Sequence, residues 1–497
     1  MNVVEPILFQ AQHNAPAPAL CAPGMALGLI SYGRLARFIN NIGRRALTLG
    51  LRQDATVAVH VGEPIFHSAI VLALANIGVA TLSVREPAFP PGLRVDAIVT
   101  DDRQIKPSGS VKVIHADMEW TQGDGQPIDR RYLCRDSGDV LCRISLTSGS
   151  TGEAKAIGFT HRMQADRLAR YTHAYGGSFP DCARMFSDLG LPSSVGFRHL
   201  LYILSRGGTM FFPGATPMDT LQTFQLYGVQ GLIASPGGLS GFLKFYEENS
   251  TFHCGFQIII ATGSPLPRQL SDRVRARLCS QLVYYYGTTE TGTVSSAPAH
   301  ALTAIPGAVG YVTPGVTVEI VDSEGRLLPA NQEGALRIRS PMNVDRYLDD
   351  PALSQVAFRD GCFYTGDTGY LMSDGMLVVT GREKDILNLG GDKVRPQSIE
   401  DVLTAFEGVS QAAAFTMPNR VGIDEVWAMI VASRQIDEAA VLAHCRRHLP
   451  SLCVPERIIS VERLPRNENG KIERHRLASL APGTAPDRSS VAGLPRH

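Results

Sequence analysis

Apolar residues recur with two different periods in the first part of the chain. Between Ser31 and Gly50 they stand three and four positions apart, which predicts an amphipathic helix that Ser31 caps and Gly50 ends. Residues 56–61 and 79–84 are short apolar runs typical of buried strands, and the apolar residues 65–76 between them are numerous enough for a buried helix. This order of strand, helix and strand predicts a βαβ unit, and hence a parallel sheet.

The pattern changes along the rest of the chain. Residues 256–286 repeat the order of strand, amphipathic helix and strand. Between residues 306 and 383, short β-rich runs alternate with Gly, Asp and Pro turns, which indicates a β-rich, barrel-like subdomain. Charged helical patterns then alternate with short strands over residues 384–478. Residues 479–497 are rich in Pro, Ser and Gly and are predicted to be disordered.

These patterns predict an α/β multidomain fold. Residues 1–383 form a large N-terminal domain of doubly wound, parallel-type sheets that includes the β-rich subdomain. Residues 384–478 are predicted to form a small C-terminal α+β domain. In a fold of this class, ligands bind at the carboxyl ends of the strands.

Composition narrows the class of protein. The 497 residues are 44% hydrophobic and 19% charged, which excludes a chain that is disordered throughout. Lys+Arg and Asp+Glu both number 47, so we expect no nucleic acid and no anionic membrane surface as main partner. The nine cysteines include no CxxC pair, and the first residues lack the basic region of a signal peptide. The most apolar run, 69–84, is too short for a bilayer, so we expect a cytoplasmic protein without membrane insertion.

A loop of small hydroxylated residues and glycines follows the apolar residues 140–146. Its backbone N–H groups, its hydroxyl groups and the ammonium group of Lys155 suit the oxygens of a polyphosphate. The loop departs from a Walker A motif, because Lys155 stands three positions after Gly152 and precedes Ala156. A flexible polar surface loop is the alternative. The candidate phosphate-binding residues are Thr147, Ser148, Gly149, Ser150, Thr151, Gly152 and Lys155.

A second polar segment ends the predicted buried strand at residues 281–286. Tyr286 offers a flat face for a base, and Gly287 permits the close approach of a substrate. Thr289 offers a hydroxyl group, and the carboxylate of Glu290 is a hard oxygen ligand suited to Mg²⁺. An ordinary polar strand end is the alternative.

Three further segments are weaker on their own. Asp367, in Tyr-Thr-Gly-Asp, could accept hydrogen bonds from both hydroxyl groups of a ribose, although an aspartate that only caps a turn is the usual case. Lys471, in Asn-Gly-Lys, stands in a tight turn that is more often a solvated hairpin tip than a catalytic site. The charged cluster at residues 381–385 marks a domain boundary.

The order of these segments is more specific than any one of them. A phosphate loop, a buried strand with Tyr-Gly-Thr-Thr-Glu, then Thr-Gly-Asp, Gly-Arg and a late Asn-Gly-Lys resembles the acyl-adenylate-forming enzymes. This superfamily of AMP-dependent synthetases and ligases includes acyl- and aryl-CoA ligases, peptide-synthetase adenylation domains and beetle luciferases. The resemblance runs from about residue 6 to residue 476 and includes the segments 262–267 and 361–367.

The resemblance implies a ligand for each segment. The loop 147–155 would hold the β- and γ-phosphates of ATP, and Glu290 would hold the Mg²⁺ ion. Thr289 would contact the α-phosphate, and Lys471 would act as the catalytic lysine that bridges the acyl carboxylate to AMP. The adenine and ribose contacts that the resemblance implies are Tyr286, Gly263, Ser264, Pro265, Asp367 and Arg382.

The resemblance also implies two half-reactions. A carboxylate oxygen attacks the α-phosphorus of ATP and expels pyrophosphate, and a thiol then displaces AMP from the acyl-AMP. Between the two, the small domain would rotate about a hinge at Lys384 and present Gly390 and Gly391 beside a tunnel for the thiol arm. A lysine in a surface turn is the alternative for Lys384.

Three positions depart from the pattern of the family. Ala154 replaces the usual proline before the loop lysine, and Ala335 replaces a common glutamate. The Phe-His pair of many CoA ligases is absent where Ser193 and Ser194 stand. His199 is too far along the chain to replace that pair, and a packed or surface histidine is the better interpretation.

The sequence gives less information about the identity of the acid substrate than about the nucleotide site. The candidate lining of the acyl pocket is small and consists of Ser194, Val195, Ser235, Gly237 and Gly287. It leaves room for a flat ring or a medium-length chain, so an aryl or medium-length acyl acid is the expected substrate. Asp188 is a weak candidate to anchor the ammonium group of an amino acid, and we identify no positive charge that is placed for a second carboxylate.

Three functions stay open at this point. The leading hypothesis is a free-standing acid–CoA ligase, and the second is a ligase that loads the phosphopantetheine arm of a separate carrier protein. The third, a non-catalytic ligand-binding relative, is disfavoured because Lys155, Lys471 and Glu290 are all present. No feature favours a luciferase-like oxidase. The basic residues that could bind either the CoA 3′-phosphate or an acidic carrier helix are Lys393, Arg395, Arg446 and Arg447.

Overall fold

The computed structural model describes most of the chain and divides it into two compact units. The first comprises Met1–Leu266 and Leu270–Thr380, and the second comprises Pro267–Gln269 and Gly381–His497. The described residues are 2–481, except 91, 107–110, 135–137, 149–153, 176–182, 250–251, 383–384, 386, 390–391, 420–423, 433 and 468–469. Most of the tail that we predict to be disordered therefore lies outside the described residues.

Helices and strands alternate through most of the chain. The helices are α1 (Glu5–His13), α2 (Tyr32–Thr48), α3 (Pro64–Asn76), α4 (His161–Tyr175), α5 (Ser194–Ser205), α6 (Pro217–Tyr227), α7 (Pro236–Glu248), α8 (Arg268–Arg277), α9 (Ala299–Leu302), α10 (Pro351–Ala357), α11 (Pro396–Ala405), α12 (Glu438–His448) and α13 (Arg474–Leu480). The strands are β1 (Pro18–Ala22), β2 (Gly28–Ser31), β3 (Thr56–His60), β4 (Ala80–Ser83), β5 (Ala97–Thr100), β6 (Lys112–His115), β7 (Leu141–Ser148), β8 (Ala154–Thr160), β9 (Arg184–Ser187), β10 (Thr209–Phe211), β11 (Gly231–Ala234), β12 (Ile258–Thr262), β13 (Leu282–Thr288), β14 (Gly292–Pro298), β15 (Ala308–Val312), β16 (Thr317–Val321), β17 (Gly334–Arg339), β18 (Phe358–Arg359), β19 (Cys362–Leu371), β20 (Met376–Arg382), β21 (Leu387–Leu389), β22 (Asp392–Val394), β23 (Val409–Pro418), β24 (Asp424–Ala432) and β25 (Arg457–Ser460).

Local signals explain the ends of α2. The side chain of Ser31 accepts a hydrogen bond from the backbone N–H of Arg34, which satisfies one of the unpaired donors of the first turn. Gly50, just beyond the helix, has φ +88°, a left-handed conformation that favours glycine. The apolar stripe of α2 is buried, so the predicted helix and its cap are confirmed.

A six-stranded sheet occupies the first part of unit one. Its order is β6-β5-β3-β4-β7-β8, and the neighbours pair in parallel except β7 with β8. The predicted βαβ unit β3-α3-β4 lies at its centre. α3 is buried on every side because it contacts β1 as well as β3, β4 and β7. This double contact explains why its sequence shows no polar face.

A second, larger sheet continues through the unit. Strands β1, β10, β9, β11, β12 and β13 pair in parallel in that order. Beyond β13 the described strands are antiparallel, and the β-rich segment forms one end of the sheet in the order β16-β17-β19-β20-β15-β14. The segment is β-rich as expected, but its described strands extend an open sheet and do not close into a barrel.

The second unit is α+β. Strands β23 and β24 pair antiparallel, β25 joins β24 in parallel, and α11 and α13 pack on β23. A separate core fills it, built on Ile399, Leu403, Ala428 and Val441. Across both units, no described helix is long and apolar enough to cross a membrane.

Candidate active site

Several predicted site residues lie outside the described residues. They are Gly149, Ser150, Thr151, Gly152, Lys384, Gly390 and Gly391, and the side chain of Ser148 belongs with them. Their assigned roles stay predictions.

The two arms of the candidate phosphate loop lie side by side. Thr147 on β7 is paired directly with Lys155 on β8. The Lys155 ammonium nitrogen lies 5.0 Å from the centre of the Tyr347 ring, within the range of a cation–π interaction. The segment that carries Tyr347 is tied to the same strand, because Ala156 accepts a hydrogen bond from the Leu348 N–H at 2.9 Å and donates one to Asp349 Oδ1 at 3.0 Å.

Glu290 lies on the other side of the same tyrosine. The Tyr347 hydroxyl donates a hydrogen bond to Glu290 Oε1 at 2.9 Å, and both side chains are buried. Tyr347 therefore contacts both the candidate phosphate-binding lysine and the candidate Mg²⁺ carboxylate. The carboxyl end of β13 in the large sheet is joined in this way to the β7–β8 hairpin of the six-stranded sheet.

A buried arginine holds the backbone beneath this carboxylate. Arg167 on α4 donates hydrogen bonds to the carbonyl oxygens of Thr289 at 3.1 Å, Glu290 at 2.8 Å and Met342 at 2.6 Å. Its guanidinium also packs over the Phe159 ring. Burial lowers the pKa of Arg167 to about 9, so it stays a cation at neutral pH. The arginine thus positions the backbone of the Thr289–Glu290 turn.

The candidate adenine and ribose contacts also lie together. The Tyr286 hydroxyl donates a hydrogen bond to Asp367 Oδ2 at 2.5 Å. Gly263, with φ +94°, and Ser264 follow β12, the parallel neighbour of β13. The Ser264 carbonyl accepts a hydrogen bond from Tyr284 at 3.1 Å, and Pro265 next to it is exposed. The structure brings these predicted contacts to one edge of the large sheet.

The candidate acyl pocket adjoins the same turn. Ser194 at the start of α5 donates a hydrogen bond to Thr289 Oγ1 at 3.4 Å, and Val195 after it is half-buried. Ser235 caps α7, since its hydroxyl accepts a hydrogen bond from the Gly238 N–H at 3.1 Å; Gly237 lies in the same first turn. Helix capping therefore explains why one of these candidate pocket residues, Ser235, has a small polar side chain.

Gly287 has a structural reason of its own. A Cβ added at Gly287 would lie 2.1 Å from the Gly292 carbonyl oxygen on the neighbouring strand. The irregular pairing of β13 with β14 thus requires glycine whether or not a substrate approaches it. Its assignment to the acyl pocket stays a prediction.

Two other residues from the sequence analysis have defined surroundings. A Cβ added at Gly238 would lie 1.8 Å from Asp188 Oδ2, so this carboxylate sits against the first turn of α7. His199 is buried, and its ring contacts the Tyr171 hydroxyl and the Val195 carbonyl. Burial lowers the pKa of His199 to about 3, so it is a neutral, packed histidine at neutral pH.

Arg382 and Lys471 belong to the second unit. Arg382 ends β20 and is half-buried. The backbone N–H of Lys471 donates to Asn467 Oδ1 at 2.9 Å, and its carbonyl accepts from the Asn467 N–H at 2.9 Å. Gly470, with φ +76°, completes a tight turn that presents the lysine. Of the candidate basic residues, Arg446 and Arg447 are exposed, Arg395 is half-buried, and the Lys393 side chain lies outside the described part.

Sequence reasoning missed Tyr347 and Arg167. Tyr347 belongs to no segment that we singled out, and Arg167 lies on a helix with many charged residues, where an arginine is normally on the solvated face. A single sequence carries no signal that separates these two residues from ordinary surface groups.

Comparisons with known proteins identify the family. The family profile described as AMP-binding enzyme matches residues 9–348, and the profile described as AMP-binding enzyme C-terminal domain matches residues 398–471. The 2-succinylbenzoate–CoA ligase of Listeria monocytogenes is 30% identical over 469 residues, which cover 90% of this chain and 93% of that protein. The long-chain-fatty-acid–CoA ligase FadD13 of Mycobacterium tuberculosis is 25% identical over 491 residues, covering 96% and 93% of the two chains.

Solved structures agree on the fold. The crystal structure of the anthranilate CoA ligase AuaEII in complex with anthranoyl-AMP has a TM-score of 0.83 at 21% identity and covers 97% of both chains. At this identity the likeness concerns the fold alone. Together with the family profile, which covers more than half of the chain, the relatives establish that this chain belongs to the AMP-binding enzymes of the acyl-adenylate-forming superfamily, as an AMP-forming acid–thiol ligase of the acyl-CoA synthetase type.

Proposed function

We propose that the protein is an acid–CoA ligase that activates a carboxylic acid with ATP. An oxygen of the acid forms a bond to the α-phosphorus, and pyrophosphate leaves. The sulfur of CoA then forms a bond to the acyl carbon, AMP leaves, and the thiol proton passes to solvent. The observation that carries the proposal is the contact of one tyrosine, Tyr347, with both Lys155 and Glu290.

The Glu290 carboxylate would hold a magnesium ion through an oxygen ligand. One of its oxygens accepts the Tyr347 hydrogen bond, and a carboxylate keeps further lone pairs for a metal. Mg²⁺ in nucleotide sites is held by one or two carboxylates together with phosphate oxygens and water. When bound there, the ion supplies positive charge against the phosphate oxygens.

In this proposal, different residues of unit one bind different groups of the ATP molecule. Thr147 and Lys155 bind the phosphate chain, and Thr289 contacts the α-phosphate next to the acid. Tyr286, with the Gly263–Pro265 segment, binds the adenine, and Asp367 binds the ribose. Arg167 keeps the Thr289–Glu290 turn in place through its carbonyl contacts. This assignment is supported by the contact of Tyr286 with Asp367 beside the Gly263–Pro265 segment, and by the contacts of Tyr347 with Lys155 and Glu290.

The residues of unit two act in both half-reactions. We assign Lys471 to the bridge between the acyl carboxylate and AMP, and Arg382 to the ribose. We assign Lys384 to the hinge, and Gly390 with Gly391 to the thiol tunnel. In this proposal residues 384–478 form a mobile lid that serves the two half-reactions in turn.

We propose that the substrate is an aryl acid or an acid with a medium-length acyl chain. The proposal is supported by the small side chains at Ser194 and in the first turn of α7. Loading of a carrier protein in trans is the alternative, and the exposed Arg446 and Arg447 suit an acidic helix as well as a CoA phosphate.

The test is acid-dependent conversion of ATP to AMP and pyrophosphate over a panel of aryl, branched and linear acids, with and without CoA. We expect acyl-CoA to form with at least one acid. Pyrophosphate exchange without an acyl-CoA product supports the carrier-protein alternative, and a phosphopantetheinylated carrier added to the same assay checks it. ATP binding without turnover of any acid contradicts the enzymatic proposal.

A further inference from the structure

A buried cation lies beside the candidate acyl pocket without a hydrogen-bond or anionic partner among the described residues. Arg198, on α5, is 7% exposed, and its Nε atom is buried with no hydrogen-bond partner. In the described part of the chain, no hydrogen bond or ion pair of its guanidinium is found. Its nearest described aromatic contact is the Tyr171 ring, whose centre lies 5.6 Å away. Burial of a cation that no described anion pairs with is costly, so an anion from outside the chain is favoured beside Arg198.

Other buried arginines of this unit differ from Arg198. Arg167 donates to the carbonyl oxygens of Thr289, Glu290 and Met342. Arg143 donates to Ser83 Oγ at 2.8 Å and to the Leu191 carbonyl. In both cases the protein supplies acceptors for the guanidinium. Arg198 is buried to a similar degree but lacks them, so its role is not explained by the packing of the fold.

The surroundings of Arg198 favour an anion. Burial is the main cause that lowers the pKa of Arg167 and of His199, and the positive charge of Arg198 lowers both pKa values further, so Arg198 lies close to a second cation and to a neutral histidine. The Glu290 carboxylate acts on Arg167 and raises its pKa, whereas no described anion pairs with Arg198, so the charge of Arg198 attracts a substrate anion that enters beside it.

Arg198 also lies at the correct place for the acid. It stands four positions after Ser194, which is about 6 Å along a helix, on the same face. Ser194 contacts Thr289 Oγ1 at 3.4 Å, and Arg198 Nη1 lies 3.3 Å from the position of a Cβ on Gly292. Gly292 pairs with Thr288 across the turn that carries Thr289 and Glu290. Both α5 residues therefore face this turn.

We propose that Arg198 binds a second anionic group of the acid, so that the preferred substrates are dicarboxylic acids or acids that carry another negatively charged group. This inference rests on the proposed function, because it takes the reacting carboxylate to lie at Thr289. The forked guanidinium binds a carboxylate through two parallel hydrogen bonds. Arg198 stands in the apolar run of α5, between Phe197 and His199, so its sequence context does not indicate a binding role.

The experiment compares acids that differ only in the second charge. Linear monocarboxylic and dicarboxylic acids of equal length, and benzoate against isophthalate, are assayed by acid-dependent ATP–pyrophosphate exchange. The variants are Arg198→Met, which keeps the side-chain length, and Arg198→Lys, which keeps the charge. Arg206→Met is the matched control, because it removes the same charge from the exposed C-cap of the same helix.

We expect the wild-type protein to prefer the dicarboxylic member of each productive pair. Arg198→Met should lower kcat/KM for that member roughly ten- to hundredfold, mainly through KM, because a charge-assisted hydrogen bond to a buried group is lost. Arg198→Met should leave the kcat/KM for the monocarboxylic acid and the KM for ATP unchanged. Arg198→Lys should retain part of the preference for the dicarboxylic acid. Arg206→Met should match the wild type. An equal loss for both acids of a pair, or a raised KM for ATP, overturns the inference.

Binding of the dicarboxylic acids, measured by calorimetry without ATP, separates this inference from the proposed function. Arg198-dependent binding without any pyrophosphate exchange supports the inference and contradicts the ligase proposal. Turnover of monocarboxylic acids with no binding or preference for dicarboxylic acids supports the ligase and overturns the inference. Thermal unfolding of each variant, compared with the wild type, checks that the fold is kept.

Discussion

The hydroxyl of Tyr347 donates a hydrogen bond to Glu290 Oε1 at 2.9 Å, across 57 positions of the chain. The same ring lies 5.0 Å from the Lys155 ammonium. A carboxylate binds a metal ion more tightly when a hydrogen bond to one of its oxygens fixes its orientation. We therefore expect Tyr347 to act as a positioning residue through Glu290 and Lys155.

Removing this hydroxyl should weaken the response to magnesium. Tyr347→Phe keeps the ring beside Lys155 but removes the hydrogen bond to Glu290 Oε1. We expect the Mg²⁺ concentration for half-maximal pyrophosphate exchange to rise about tenfold, as for the loss of one hydrogen bond to a charged group. The KM for the acid should stay unchanged. Tyr311→Phe is the control, because that exposed tyrosine contacts Asp374 at the longer distance of 3.4 Å. An unchanged Mg²⁺ titration would contradict the role of Tyr347.

Loss of the late lysine should separate the half-reactions. Lys471→Ala should abolish formation of acyl-AMP, because no other ammonium group is assigned to the developing charge at the α-phosphate. Conversion of supplied acyl-AMP and CoA to acyl-CoA should continue at close to the wild-type rate. The two reactions are followed by pyrophosphate release and by thioester formation. Lys244→Ala, at an exposed position of α7, serves as the control. Equal loss of both reactions would argue against a lysine specific to adenylation.

The contact between Tyr286 and Asp367 should affect nucleotide binding alone. Tyr286→Phe keeps the flat face for adenine but removes the 2.5 Å hydrogen bond to Asp367. We expect the KM for ATP to rise about fivefold, the size of one net hydrogen bond, with no change in the KM for the acid. Tyr364→Phe is the matched control, since Tyr364 lies on the same strand as Asp367 and its hydroxyl accepts a 3.0 Å hydrogen bond from Arg337 that the variant loses. A change in the acid KM would contradict the assignment of Tyr286 to the nucleotide.

A buried histidine should make the first unit less stable in acid. His67 Nδ1 bonds to the Val61 carbonyl at 2.9 Å and therefore carries the hydrogen. Its Nε2 lies 2.7 Å from Ser83 Oγ, which also accepts a hydrogen bond from Arg143. Burial, assisted by the charge of Arg143, lowers the pKa of His67 to about 4. The neutral ring fits this network, and the protonated ring does not.

The sign of the effect follows from the lowered pKa. The unfolded chain takes up the proton near pH 6.5, before the folded protein does. The contribution of His67 is therefore complete above about pH 6.5 and is lost as the pH falls to about 4. The free energy of unfolding should fall by about 3 kcal/mol over this range through His67 alone.

Urea unfolding at a series of pH values checks this expectation. His67→Gln should lower stability at neutral pH, yet flatten its dependence on pH between about 6.5 and 4. His300→Gln, at an exposed histidine, should leave both quantities unchanged. An equally steep acid dependence in His67→Gln would assign the effect to other groups.

Local patterns determined much of the architecture. The helix capped by Ser31, the βαβ unit around α3 and the strand that carries Tyr286 follow from apolar periodicity and cap residues, which act within one or two turns of chain. Membership of the superfamily was also evident from the order of short segments. The open form of the β-rich end of the large sheet could not be predicted from these patterns, because sheet closure depends on pairing between distant strands.

The tertiary structure alone decided which side chains meet. Tyr347 reaches Glu290, Arg167 reaches the carbonyls of Thr289 and Glu290 across more than one hundred positions, and Arg198 becomes buried beside Gly292 without an anion. A single sequence gives the chemistry of each group but not its neighbours or its solvation. Burial and long-range contact set the pKa, the cost of an unpaired charge and the orientation of a carboxylate, so these properties exist only in the folded chain.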